Sequence, residues 1–369
     1  MTRRTLLAIA LLILAPIVRA QPVAPAAQSS ANRLSVRLSG AEFFKLIAEL
    51  SEPDGHFRSD NLVSNELYAQ RVIPELTRLA RPGRAYLGVG PEQNFTYIAA
   101  VRPAMAFIID VRRGNLYLHL MYKSLFELSE DRAEFVSRLF SMKRPSGLGR
   151  QSTVQQIMAA YTDPRLLPSQ DLFKQNIGAI RRMLASKSER TMADADLTGI
   201  EEVYQEFFAR GLAIRYEVTP GSPGSFPTYA EIMTATDDAS IPRGFLATEE
   251  NFALIKELQS RNLILPVVGD FAGPKAIRAV GKYLRARNAI VSAFYVSNVE
   301  QYLRRDGHLE AFCGSASTLP TDDRSTFIRS ERGGFASRGG GVPTRAGRGG
   351  FGFSSQLFNM LDEKNNCPR

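Results

Sequence analysis

The fold is decided by Ala85-Tyr86-Leu87-Gly88-Val89-Gly90-Pro91-Glu92-Gln93-Asn94-Phe95-Thr96-Tyr97-Ile98-Ala99-Ala100-Val101-Arg102-Pro103-Ala104-Met105-Ala106-Phe107-Ile108-Ile109-Asp110-Val111. A short apolar run enters two glycines, Phe95 to Val101 reads as a helix, and Ala104 to Val111 is a nearly continuous apolar strand. Strand, turn, helix and strand make a βαβ unit, and unbroken apolar strands belong to parallel sheets covered on both faces. Asp110 closes the second strand 22 residues after Gly88. In nucleoside and dinucleotide binders, glycines at such a turn let a ligand approach the backbone, and an acid about 20 residues on accepts hydrogen bonds from ribose hydroxyls. A purely structural turn is the competing reading. The loop lacks a third small residue, and Glu92 stands at the helix start, where its charge repels a pyrophosphate. That argues against NAD or FAD and for a ligand offering an amine or hydroxyl.

Outward from this unit, helical spacing covers Ala41 to Leu50 and Glu66 to Leu79. Leu116 to Leu128 is apolar on almost every side, as in a buried helix. Helical patterning with few strand signals fills about 130–215 and predicts an insertion over the sheet. Alternation resumes with a helix after Thr248, a strand over Leu263 to Gly269, a helix opening at Pro274, a strand over Ala289 to Val296 and a helix from Val299 to Leu303. Residues 34–330 are therefore expected to form an α/β domain with a mostly parallel sheet and helices on both faces. A Gly/Arg-rich flexible segment follows at 331–353, with 9 of the chain's 28 glycines at 333–352. In the C-terminal tail, 354–369, Leu357, Phe358 and Leu361 predict, together with Phe351 and Phe353, that the chain re-docks at its end.

Polar residues sit just past the carboxyl ends of two later strands, where open α/β sheets bind ligands. Asp270, in Gly269-Asp270-Phe271-Ala272-Gly273, serves either as a general base or substrate acceptor, or as the cap of the helix at Pro274. Tyr295 is the alternative base. Ser297 and Asn298 either face a ligand or cap the helix at Val299. His56, His119 and His308 have no paired spacing, so no metal site is expected. His119 is read as a hydrogen-bonded core residue, with a place facing the pocket near Tyr122 as the alternative.

The pattern at 85–129, and more loosely at 249–303, resembles class I S-adenosylmethionine-dependent methyltransferases. The resemblance implies a Rossmann-like, methyltransferase-type fold and S-adenosylmethionine as cofactor, with Gly88 and Gly90 lining its methionine portion and Asp110 its ribose. Tyr86 stands where that family has an acid, and Glu92 replaces the third glycine. The runs Val267 to Pro274 and Ser292 to Leu303 are similar to those of an uncharacterised family of exported bacterial proteins with this architecture. The expected pocket comprises Gly88, Gly90, Glu92, Asp110, Asp270 and Asn298, and an enzyme would use Asp270 or Tyr295 as its base. Two functions follow: a methyltransferase-like protein binding a nucleoside-type or other small polar ligand, or a non-catalytic binding or scaffold protein of the cell envelope.

The 369 residues carry 46 Lys+Arg against 37 Asp+Glu and are 44% hydrophobic, which excludes a wholly disordered chain and a disulfide mini-scaffold. Residues 1–20 read as a secretory signal: Arg3-Arg4, an apolar run from Leu6, and Val18-Arg19-Ala20 before Gln21. The paired arginines also resemble a twin-arginine signal. Residues 21–33 look like a flexible lead-in. Loss of Arg3, Arg4 and Arg19 lowers the formal charge from +9 to +6, from which no nucleic-acid partner follows. Arg-Gly-Gly tracts can bind single-stranded RNA, but with export a mobile surface loop is the preferred reading. Periplasmic or extracellular residence makes Cys313 and Cys367 candidates for a bridge, with two separate thiols as the alternative.

Overall fold

The computed structural model describes residues 33–187, 192–217, 226–332 and 353–365. The stretch read as an export signal, nearly all of the expected lead-in, the glycine tract at 333–352 and Cys367 lie outside the described residues. Helix α1 (Gly40–Leu50) opens with a capping box: Glu42 N–H donates to Ser39 Oγ (3.2 Å) and Ser39 N–H to the Glu42 carboxylate (2.7 Å). The helix expected over 66–79 is shorter. A 3-10 turn (Ala69–Val72) leads into α2 (Ile73–Leu79), because Pro74 near the helix start has no N–H with which to continue an upstream α-helix.

The βαβ unit comprises β1 (Ala85–Gly88), α3 (Gln93–Val101) and β2 (Met105–Asp110), and α4 (Arg113–Leu128) is the buried helix that follows. Next come α5 (Arg132–Leu139), α6 (Val154–Tyr161), α7 (Gln170–Lys187) and α8 (Asp194–Arg210), which occupy the expected insertion. After α9 (Tyr229–Thr234) and α10 (Glu249–Ser260), the sheet resumes with β3 (Ile264–Val268), α11 (Ala276–Arg285) and β4 (Val291–Ser297). The chain continues through α12 (Val299–Arg305), α13 (Leu309–Ala316) and β5 (Thr326–Arg332), and the last described segment is β6 (Phe353–Asn359) with α14 (Met360–Asn365).

The result is an α/β fold built on one six-stranded sheet of order β3-β2-β1-β4-β5-β6. Five strands are parallel, and β6 pairs antiparallel with β5. Adjacent residues of β4 show that helices cover both faces, since neighbours along a strand point to opposite sides. Tyr295 meets Tyr97 of α3 (4.9 Å between ring centroids), whereas Phe294 meets Phe312 of α13 (6.3 Å). On the α3 face, Phe95 makes edge contacts with His119, Tyr122, Phe126 and Phe245 at 5.2–5.5 Å.

Sequence patterning did not mark β5, whose Thr-Phe-Ile-Arg-Ser-Glu-Arg is polar at most positions; it pairs with β4 on one side and, on the other, with β6 from beyond the glycine tract. The tail re-docks as β6, with Phe353 buried. Cys313, on α13, is disulfide-bonded.

Because Phe95 is fully buried and touches four aromatic or imidazole rings, Phe95→Ala should cost about 3–5 kcal/mol in urea denaturation. A loss under about 1 kcal/mol would contradict this packing.

Candidate functional site

The chain moves from β1 outward to β2 and β3, then crosses back to β4 on the other side of β1. Helices on either side of such a reversal leave a crevice at the strands' carboxyl ends. A cavity of about 360 Å³ occupies that place, within the range of about 300–1,000 Å³ usual for small-molecule sites. Gly90 lines it from the end of β1, Asp110 from β2, Asp270 from β3, and Tyr295 and Asn298 from β4. Gly88 and Glu92, also expected in the pocket, are not part of its wall.

A strap of irregular chain at 51–66 roofs the crevice and crosses the four strand ends in sheet order. At β3, Glu52 N–H donates to Val268 O (2.8 Å), and the Glu52 carboxylate accepts from the N–H groups of Asp270 (2.9 Å), Lys275 (2.7 Å) and Ala276 (2.8 Å). At β2, Gly55 N–H donates to Val111 O (2.9 Å) and Arg112 Nη1 donates to Asp60 O. Beside β1, Ser64 N–H donates to Glu92 Oε1 (3.1 Å). At β4, Tyr295 and Ser297 each donate a hydroxyl to Glu66 Oε1 (2.6 Å), and Glu66 is 1% exposed. Ser297 has a left-handed backbone, φ 49°, where the β4–β5 register slips; strain of this kind gathers at functional edges.

The glycine loop serves its own backbone. A Cβ on Gly88 would lie 1.8 Å from Asn94 Oδ1, so the glycine admits Asn94 rather than a ligand. Asn94 Nδ2 donates to the carbonyls of Val89 (2.9 Å), Gly90 (3.1 Å) and Pro91 (2.7 Å). Gly90, with φ +75°, meets the cavity together with Val89 and Pro91 of the same turn. His119 Nε2 lies 2.9 Å from Gly90 O, and burial pushes the imidazole down to about 4. It is therefore neutral, with its proton on Nε2, since a carbonyl can only accept.

Several expected roles are corrected by these contacts. Asp110 borders the cavity but is gripped by Arg112, whose Nε and Nη2 donate to Oδ1 and Oδ2 at 3.1 Å each, with Arg112 N–H on Oδ1 at 3.0 Å. Such a bidentate pair satisfies the carboxylate and is costly to break when buried. Glu92 is fully buried against Ser64 and does not cap α3. Tyr295 is unsuited as a base: its hydroxyl already donates to Glu66, and burial raises its pKa well above the phenol range. Asp270 is exposed and does not cap α11; its Oδ1 accepts from Ala272 N–H (2.9 Å), while Glu52 holds the helix start. Asn298 makes no side-chain cap on α12. Of the acids at the cavity, Asp110 pairs with Arg112 and Asp306 with Arg305, whereas Asp270 has no ion pair among the described residues.

S-adenosylmethionine seated as the resemblance implies does not fit this arrangement. The space over Gly88 holds Asn94 and the Tyr86 hydroxyl, and the acid meant for the ribose is closed by Arg112. A second cavity of about 250 Å³ lies beyond Asn298, and its Arg329 is bridged to Glu300 (3.0 Å) and Glu363 (2.7 Å). Among the described residues no cluster of acids, histidines and cysteines could hold a metal, and no helix is long and apolar enough to cross a membrane.

Sequence reading missed the strap, because Glu52, Ser64 and Glu66 act across more than 200 residues or through backbone groups. Arg112 had a readable signal, standing two residues beyond the acid it clamps. Burial raises the Glu92 carboxyl from 4.5 to about 7. The folded state then holds this proton where the unfolded chain has lost it, so its stabilisation is complete below about pH 4.5 and is lost as pH rises through about 7. Glu92→Gln keeps an acceptor for Ser64 and should flatten the decline of thermal stability over that window. An unchanged decline would refute the assignment.

Comparison with curated proteins gives no match. A family model described as a domain of unknown function (DUF7790) matches residues 62–346, well over half of the chain, and the protein belongs to that family.

Proposed function

We infer that this protein binds a small polar ligand of nucleoside type in the crevice at the carboxyl ends of β1 to β4, on a Rossmann-like scaffold of methyltransferase type. The observation that carries the reading is the common wall: Gly90, Asp110, Asp270 and Asn298, distant in sequence, border one cavity where the strand order reverses. The order β3-β2-β1-β4-β5-β6 is that of doubly wound nucleotide-binding sheets, apart from the antiparallel last strand. Asp270 is the group for ligand hydroxyls or amines, since its carboxylate has no cation to neutralise it. The Asn298 amide, uncommitted to capping, supplies a donor and an acceptor.

Binding without catalysis is the better-supported form. Tyr295 keeps its proton, Asp110 is clamped, and Glu92 is not part of the cavity wall. Of the expected bases, Asp270 remains for an enzymatic form, and His56 and His308 also line the cavity. The disulfide at Cys313 supports residence in an oxidising compartment, in line with the export signal read at residues 1–20.

Two measurements test the reading. In thermal-shift assays with adenosine, S-adenosylmethionine and S-adenosylhomocysteine, at least one should raise Tm, and Asp270→Asn should lower its affinity about ten-fold, the effect of one charge-assisted hydrogen bond. No shift with any of them, or equal shifts in the variant, would refute the pocket. A reporter enzyme active only after export, fused behind residues 1–33, should be active; retention in the cytoplasm would refute the compartment.

A further inference from the structure

The strap leaves one stretch loose. Among the described residues, no backbone hydrogen bond ties 56–58 to the rest of the chain, although Gly55 and Asp60 on either side are held at the end of β2. Side chains hold this stretch instead, and both contacts go to one residue of α12. Phe57 packs edge-on to Tyr302 (5.4 Å between centroids, 86° between planes). Arg58 lies 5.2 Å from the same ring centroid, with Nη2 donating to the Tyr302 hydroxyl at 3.1 Å. All three side chains line the cavity.

Charge matching around the cavity isolates Arg58. Arg112 is neutralised by Asp110 and Arg305 by Asp306, but Arg58 has no ion pair with any described residue. Its guanidinium offers five donors in a fixed fork, and the phenol oxygen accepts one of them. A phosphate or carboxylate takes two donors of that fork and adds full charge, so it outcompetes a neutral phenol. With its backbone untethered, Arg58 can turn from Tyr302 without breaking a main-chain bond.

We propose that Arg58 is the residue through which this cavity reads an anionic group on its ligand, a phosphate or a carboxylate, and that Tyr302 holds the guanidinium at the mouth until that group arrives. This rests on the nucleoside-type reading above and narrows it: hydroxyls or amines meet Asp270, and the anion meets Arg58.

The test is calorimetric titration of the purified chain at low salt with adenosine, adenosine 5′-monophosphate and adenosine-5′-carboxylic acid. At least one of the two anionic probes should bind about ten-fold or more tightly than adenosine, the effect of one charge-assisted contact, and the arm that gains identifies phosphate or carboxylate as the group read. Arg58→Gln should abolish that advantage while leaving adenosine affinity unchanged. Tyr302→Phe keeps the ring, removes the competing oxygen and should tighten the anionic probe without changing adenosine. Adenosine binding with no gain from either anion, or a gain that survives Arg58→Gln, would overturn the proposal and leave the nucleoside reading standing. No binding by any probe would overturn both.

Discussion

Two carboxylates, Glu52 and Glu66, fasten one irregular stretch of chain across the open end of a parallel sheet, and the cavity exists because they do. Glu52 gathers the N–H groups of Lys275 and Ala276 at the start of α11, where the helix dipole favours a negative charge, and that of Asp270 in the loop before it. Glu66 is buried and draws hydroxyls from β4, with Ser355 of β6 at 3.3 Å from its other oxygen. A buried carboxylate without such donors would be expensive to keep, so each residue needs the strand ends as much as the strap needs it. The C-terminal strand thereby joins the network that supports the cavity floor, so its return to the sheet serves the site as well as the sheet edge.

Most of the polar groups at the strand ends are satisfied within the protein. Asn94 serves the glycine loop, Arg112 serves Asp110, Arg305 serves Asp306, and Glu66 serves Tyr295 and Ser297. Among the aspartates and arginines that line the cavity, those without an ion pair to a described residue are opposite in sign, Asp270 on the sheet side and Arg58 on the strap. A pocket of this kind selects ligands by a few placed groups on an otherwise settled wall.

The sheet was largely legible in the sequence because buried parallel strands are continuous apolar runs, and those near Leu87, Ile108, Leu265 and Phe294 are all of that kind. Strand β5, between β4 and the edge strand β6, was not legible, since it is mostly polar and its antiparallel partner β6 follows the glycine tract. In the site, position was readable but role was not. Gly90, Asp110, Asp270, Tyr295 and Asn298 were picked as residues at strand ends, and strand ends converge. Whether a side chain there faces a ligand depends on partners that patterning does not show: Arg112 closes Asp110, Ser64 turns Glu92 inward, and Glu52 takes over the helix start that Asp270 was offered. Gly88 illustrates the same limit, for its missing side chain makes room for Asn94.

The most direct test of this account is a crystal structure of the protein with adenosine. The account predicts the nucleoside in the crevice between Gly90 and Asn298, a hydroxyl or amine within hydrogen-bond reach of Asp270, and the Asp110–Arg112 pair intact. Ribose hydroxyls on Asp110 with Arg112 displaced, or the nucleoside bound away from the strand ends, would contradict it.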